Sequence, residues 1–145
     1  MCVLALGCAA CQKAEHGATG AIALLDADAI GKLPAALAVL KSDRLAARAL
    51  DHLQLTTDAA WGGSEAAAIQ KLHSMMRVGQ RGALAQLEVT VVEPDQKRAV
   101  LLCNVLLAVY LESRLKQQML TVHRQPADDQ PLLNDARVIE VCRYK

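Results

Sequence analysis

The sequence predicts a single α+β domain, in which a small, mostly antiparallel sheet packs against helices on one face. Its length of 145 residues suits one domain of this kind. Leu87, Val89 and Val91 alternate with polar residues, and this period of two indicates a half-buried strand. Residues 99–111 follow with Asn104 as their one strongly polar side chain. A helix this apolar is expected to be buried on more than one side.

The residues before that strand predict one further strand and three helices. Residues 18–26 are apolar and follow Gly17, so a first strand is expected there. Helix starts are indicated by Pro34 in a first turn, by an N-cap at Ser42 or Asp43, and by an N-cap at Ser64 or Glu65. The predicted connections are a loop at residues 26–32, a loop at 56–63 and a turn at 79–82.

The residues after residue 91 predict a long helix and a last strand. Pro94 and Asp95 suit the first turn of a helix that runs over residues 95–118. Residues 126–135 are polar, contain two prolines and predict a loop. Residues 136–141 then predict the strand that completes the sheet.

Charge and motifs exclude several classes of function. Sixteen basic and fifteen acidic residues give a net charge of +1, without the basic stripe expected of a nucleic-acid-binding protein. The phosphate-loop pattern G-x-x-x-x-G-K-[ST] does not occur, so no nucleotide is expected to bind. None of the four histidines lies in a nucleophile motif such as G-x-S-x-G. We therefore expect a non-catalytic protein with no cofactor.

The five cysteines form an odd set in a chain of this length, which does not suggest a disulfide framework. Cys103 lies in the apolar run and is expected to be a small buried side chain. Cys8, Cys11 and His16, together with Cys2, have spacings that would suit zinc ligation. The alternative is an apolar leader that happens to contain cysteines, because the residues between them are apolar.

The first seventeen residues are expected to lie outside the domain, which then spans residues 18–145. Residues 1–11 carry no charge but fall short of the roughly 20 apolar residues that cross a membrane. They are interpreted as the stub of a truncated membrane helix or as a leader. The string Ala5-Leu6-Gly7-Cys8 is similar to a lipoprotein cleavage box, but the basic residues of a signal peptide are missing.

Asn104 is the polar exception in the apolar helix, and a buried amide must find hydrogen-bonding partners. One interpretation is a core residue that bonds to a neighbouring strand or loop. The other is a polar residue that fixes the register of a subunit contact, as single asparagines do in coiled coils.

Four segments resemble, in their order along the chain, parts of the Wzz-type polysaccharide chain-length determinants, also called polysaccharide co-polymerases. Residues 40–46, LKSDRLA, resemble the helix motif after that family's first strand. Residues 87–112 resemble its strand, acidic-Pro turn and helix with an Asn and a Tyr, here Asn104 and Tyr110. Residues 18–26 and 136–141 resemble the strands that adjoin its two membrane helices.

The resemblance implies a periplasmic domain that oligomerises at the inner membrane and modulates the chain length and export of O-antigen, capsule or exopolysaccharide. It implies a homo-oligomer, with the polysaccharide polymerase or the nascent polysaccharide as partners and with Asn104 and Tyr110 as oligomer contacts or core polar residues. The chain is expected to depart from the family, with at most a stub of its first membrane helix, none of its second and no long coiled-coil helix. Membrane association would therefore depend on a missing or truncated anchor. The alternatives are a soluble helical binding or adaptor protein unrelated to polysaccharide, and a zinc-binding protein that uses the N-terminal cysteines.

Overall fold

A computed structural model describes residues 17–24, 29–82, 85–124 and 136–144 of the chain. These residues form an α+β fold, as predicted, with four strands and four α-helices in the described part. In chain order the elements are β1 (Ala18–Leu24), α1 (Ala29–Leu40), α2 (Asp43–His52), α3 (Glu65–Met75), β2 (Met76–Gln80), β3 (Gln86–Val91), α4 (Gln96–Arg124) and β4 (Ala136–Tyr144). The predicted N-terminal stub, apart from Gly17, and the predicted loop at 126–135 lie outside the described residues.

The sheet is antiparallel throughout and has the strand order β2-β3-β1-β4. On β3 the side chains of Leu87, Val89 and Val91 are buried, as the alternation predicted, whereas the polar residues between them are half-buried. Val89 pairs with Gly20 of β1 and Val78 of β2, so the inner face is apolar across three strands. The helices pack against this face.

Strand β2 corrects the prediction from sequence, which placed no strand between the third helix and the turn at residues 79–82. Helix α3 ends at Met75, and Met76 starts a strand that pairs with β3. The strand lies at the edge of the sheet and contains Gly79, a residue that weakens strand propensity. Its pairing with β3 outweighs that local preference, so sequence alone did not reveal it.

Helix α4 explains why residues 99–111 are apolar nearly all round. One side of α4 packs on β1, β3 and β4, and another side packs on α2. The side chains buried within it are Ala99, Leu102, Cys103, Leu106, Leu107, Val109 and Tyr110. The helix is therefore buried on more than one side by its own subunit.

The capping residues were predicted correctly for α2 and α3. Ser42 Oγ accepts the backbone N–H of Leu45, and Ser64 Oγ accepts that of Ala67. Each bond satisfies an N–H group that has no partner within the helix. Helix α1 differs, because it begins at Ala29 and holds Pro34 in its second turn rather than its first.

Trp61 closes the connection between α2 and α3. It ends a short 3₁₀ turn, Ala59–Trp61, and its ring is buried with the side chains of α2 and α3 in one core cluster. Gly62 follows with a φ of +94°, a left-handed backbone conformation that residues other than glycine rarely adopt. The chain thereby reverses direction beside the buried indole.

Candidate functional site

The two polar residues that the resemblance singles out both lie within the subunit. Asn104 is half-buried on α4, and its Oδ1 accepts the backbone N–H of Cys142 on β4 at 3.2 Å. Tyr110 is fully buried, and its hydroxyl accepts Nη1 of Arg114 at 3.2 Å. Asn104 thus connects the long helix to an edge strand, and the buried ring of Tyr110 offers no surface to a second subunit.

Cys103 and Cys142 form a disulfide, a pairing that was not predicted from the sequence. Cys103 is buried as predicted, but its sulfur bonds to a strand that begins 33 residues later, at Ala136. An odd number of cysteines does not prevent one pair from meeting in the fold, and the sequence carries no local signal for a pairing across 39 residues. The disulfide and Asn104 together attach β4 to α4.

The zinc candidates Cys8, Cys11 and His16 lie outside the described residues. Within the part of the chain that the structure describes, there is no group of three or more histidine, cysteine or acidic side chains that could hold a metal ion. In the same residues no helix is long and apolar enough to cross a membrane.

Glu93 is the one buried charged residue in the described part of the chain, at 7% exposure just after β3. Its Oε1 lies 3.2 Å from Nη1 of Arg98, whereas its Oε2 is buried without a hydrogen-bond partner among the described residues. Burial raises the pKa of the Glu93 carboxyl above its ordinary value, and the charge of Arg98 opposes that rise. The stability of the fold is therefore expected to depend on whether Glu93 is protonated.

A cleft of about 610 Å³ lies where the end of α1 and the start of α2 face the second half of α4. This volume is within the range of small-molecule sites. Its described lining consists of Ala38, Val39, Ser42, Arg44, Leu45, Arg48, Ser113, Lys116 and Gln117. The cleft therefore combines an apolar wall with three cationic side chains.

This cleft was not predicted from the sequence. Arg44 and Arg48 are four residues apart on α2, a spacing that is typical of the outward face of an amphipathic helix. Lys116 lies 68 residues further along, and it reaches the cleft only because α4 packs on α2. No local spacing signals such a set of residues.

Comparison of the sequence with protein-family models gives no match, and comparison with curated proteins gives no significant match.

Proposed function

We propose that this protein is a non-catalytic domain that modulates the chain length and export of a bacterial surface polysaccharide at the periplasmic face of the inner membrane. The observation that carries the proposal is the order of elements. A strand, a helix pair, a third helix, strand β2, the half-buried strand β3, an acidic-Pro turn and a long helix with Asn104 and Tyr110 follow one another. Apart from β2, this order resembles that of the chain-length determinants.

The Cys103–Cys142 pair supports the proposed compartment. Structural disulfides persist in oxidising environments such as the bacterial periplasm and are rare in the cytosol. The bond joins β4 to α4, the two elements at the end of the described chain. An oxidised, exported domain is the state in which this attachment is stable.

Self-association and contact with the polymerase or with the nascent polysaccharide are the means of action that the resemblance implies. In the described residues, the large apolar side chains that remain exposed are Ile30 on α1 and Leu101 on α4. Leu101 is 50% exposed and lies on the long helix. We propose that the surface of α4 around Leu101 makes the contact between subunits.

The proposal is tested in a bacterial strain that lacks its own chain-length determinant. The chain is exported to the periplasm of that strain, and the size distribution of the surface polysaccharide is measured by gel electrophoresis. We expect a shift to a defined modal length. A Val89→Asp variant, which should not fold, serves as the control, and an unchanged distribution with well-expressed native protein would contradict the proposal.

A second candidate function is a binding protein unrelated to polysaccharide. The cleft between α2 and α4 favours this candidate, because its size and mixed lining are those of a small-molecule site. Genes for glycosyltransferases, a flippase and a polymerase beside the gene for this protein would favour the first candidate over the second.

A further inference from the structure

The cleft between α2 and α4 has one apolar wall and one cationic rim. Val39 and Leu45 form the wall together with Ala38. Leu45 is buried and Val39 is half-buried, so the wall is continuous with the core. Arg44 and Lys116 are exposed, whereas Arg48 is half-buried, and all three line the cleft.

The charges at the rim do not cancel within the described residues. Glu112 is shared by two cations, with Oε2 at 3.0 Å from Nη2 of Arg48 and Oε1 at 2.8 Å from Nζ of Lys116. The hydrogen bond and charge of Lys116, followed by the charge of Arg48, lower the pKa of the Glu112 carboxyl below its ordinary value. Arg44 makes no ion pair or side-chain hydrogen bond in the described structure. Three cations therefore face one carboxylate, and the rim has an excess of positive charge.

The hydroxyl groups of the cleft already have partners. Ser42 Oγ donates to the carbonyl of Val39 at 2.7 Å and accepts the N–H of Leu45. Ser113 Oγ donates to the carbonyl of Val109 at 2.9 Å and accepts Nη1 of Arg48 at 3.1 Å. The other polar side chains of the described lining are the amide of Gln117 and the three cations, and the cations alone carry charge. Arg48 is held in place by Ser113 and Glu112.

We propose that this cleft binds an amphiphilic anion, an aliphatic chain that ends in a carboxylate or a phosphate. The chain would lie against Val39 and Leu45, where it removes apolar surface from water. The anionic group would lie between Arg44 and Lys116, where charge-assisted hydrogen bonds are strong and directional. A cationic amphiphile is excluded by the charge of the rim, and a neutral sugar finds no aromatic side chain in the described lining to stack on.

The proposal is independent of the polysaccharide function. The test uses the full chain and three probes below their micelle concentrations, namely dodecanoate, dodecyl phosphate and dodecanol, titrated by isothermal calorimetry. We expect saturable one-to-one binding of both anions and binding of dodecanol at least about tenfold weaker, since the alcohol loses the charge-assisted bonds. Equal affinity for dodecanol and dodecanoate, or no saturable binding of either anion, would overturn the proposal.

Two variants locate the binding site. Arg44→Gln and Lys116→Gln are each expected to weaken dodecanoate binding about tenfold, because each removes one charged partner. Both side chains are exposed, so the fold should tolerate the changes. Lys97→Gln is the matched control, since Lys97 is also exposed on α4 but lies at the opposite end and outside the cleft. Equal losses in all three variants would show that the anions bind through general surface charge and would reject the site.

A final measurement distinguishes a free amphiphile from a lipid surface. Vesicles of phosphatidylglycerol and of phosphatidylcholine are sedimented with the protein. Binding to phosphatidylglycerol vesicles without binding of dissolved dodecanoate or dodecyl phosphate would replace the proposed ligand by a membrane. Binding of the dissolved anions with equal sensitivity to Arg44→Gln and Lys116→Gln supports the cleft as described.

Discussion

Val89 and Thr90 are neighbours on β3 whose side chains face opposite sides of the sheet. Val89 is fully buried on the inner face, whereas Thr90 is half-buried on the outer face and shares a 3.0 Å hydrogen bond with Thr19. A carboxylate at residue 89 would be buried without a partner at a cost of about 5 kcal/mol, comparable with the stability of a whole domain. We therefore expect Val89→Asp to unfold or aggregate the protein.

Thr90→Asp is the matched variant, and we expect it to fold. Thr90 is paired across the strands with Arg77 of β2, so an aspartate there faces a cation, which partly offsets the lost bond to Thr19. Circular dichroism melts of the two variants provide the measurement. Equal melting temperatures would show that the register of β3 is wrong.

Glu93 provides a prediction about pH. Its pKa is raised above the ordinary value of 4.5, mainly by burial, so the folded protein disfavours the ionised carboxylate. The associated stability is present below pH 4.5 and is lost as the pH rises through the raised pKa. Glu93→Gln keeps the shape and removes the charge, and the partner Arg98 is 43% exposed, so water can hydrate its guanidinium.

We expect Glu93→Gln to melt a few degrees above the wild type at pH 7.5, with a difference that shrinks as the pH falls below 4.5. Thermal melts of both proteins between pH 3.5 and 8 are the measurement. A variant that is less stable at pH 7.5, with a difference that grows with pH, would mean that the pair with Arg98 outweighs burial.

Among the elements, those with a strong periodic pattern or a clear cap could be predicted from sequence. The alternation on β3 and the caps at Ser42 and Ser64 depend on neighbouring residues, and each was located correctly. Strand β2 was missed because its only signal is pairing with β3. Helix α4 runs to Arg124, six residues beyond the predicted end, because the polar residues after Glu112 are good helix formers that continue a helix already anchored by packing.

The disulfide and the cleft were missed for the same physical reason. Cys103 meets Cys142, and Lys116 meets Arg48 through Glu112, only after α4 has packed on β4 and α2. Contacts between residues far apart in sequence follow from the tertiary arrangement, which no local pattern specifies. Asn104 was recognised as a residue needing a partner, but the identity of that partner, the N–H of Cys142, again depends on the fold.

The attachment of β4 to α4 leads to a prediction about stability. The disulfide closes a segment of 39 residues, for which the chain-entropy argument gives about 4 kcal/mol of stabilisation. We expect the double variant Cys103→Ala/Cys142→Ala to lose about 2–4 kcal/mol in urea unfolding. A reducing agent should lower the free energy of unfolding of the wild type by a similar amount and leave that of the double variant unchanged. No shift in the wild type would show that the two cysteines are not bonded in solution.

For the whole molecule, α4 lies between the sheet on one side and α2 on the other. The sheet and α2 together cover most of the apolar surface of residues 99–111. The remainder is a narrow strip on which Leu101 and Ala108 are exposed and Val105 is half-buried. A strip of this size can support a small contact, and weak association is expected where only a small area is buried.

The last prediction concerns self-association through this strip. We expect light scattering coupled to gel filtration to show an average mass that rises with concentration across the micromolar range, because Leu101 is an exposed apolar anchor on a rigid helix. Leu101→Glu should remove the concentration dependence without lowering the melting temperature, since its side chain is half in water. Ile30→Glu is the matched control, because Ile30 is 66% exposed on α1 and its substitution should leave association unchanged.

A strictly monomeric wild type would reject self-association of this chain. A loss of association in the Ile30 variant alone would move the contact from α4 to α1. An unchanged mass in both variants, with an associating wild type, would place the contact away from Leu101 and Ile30, and the exposed strip on α4 would then play no part in association.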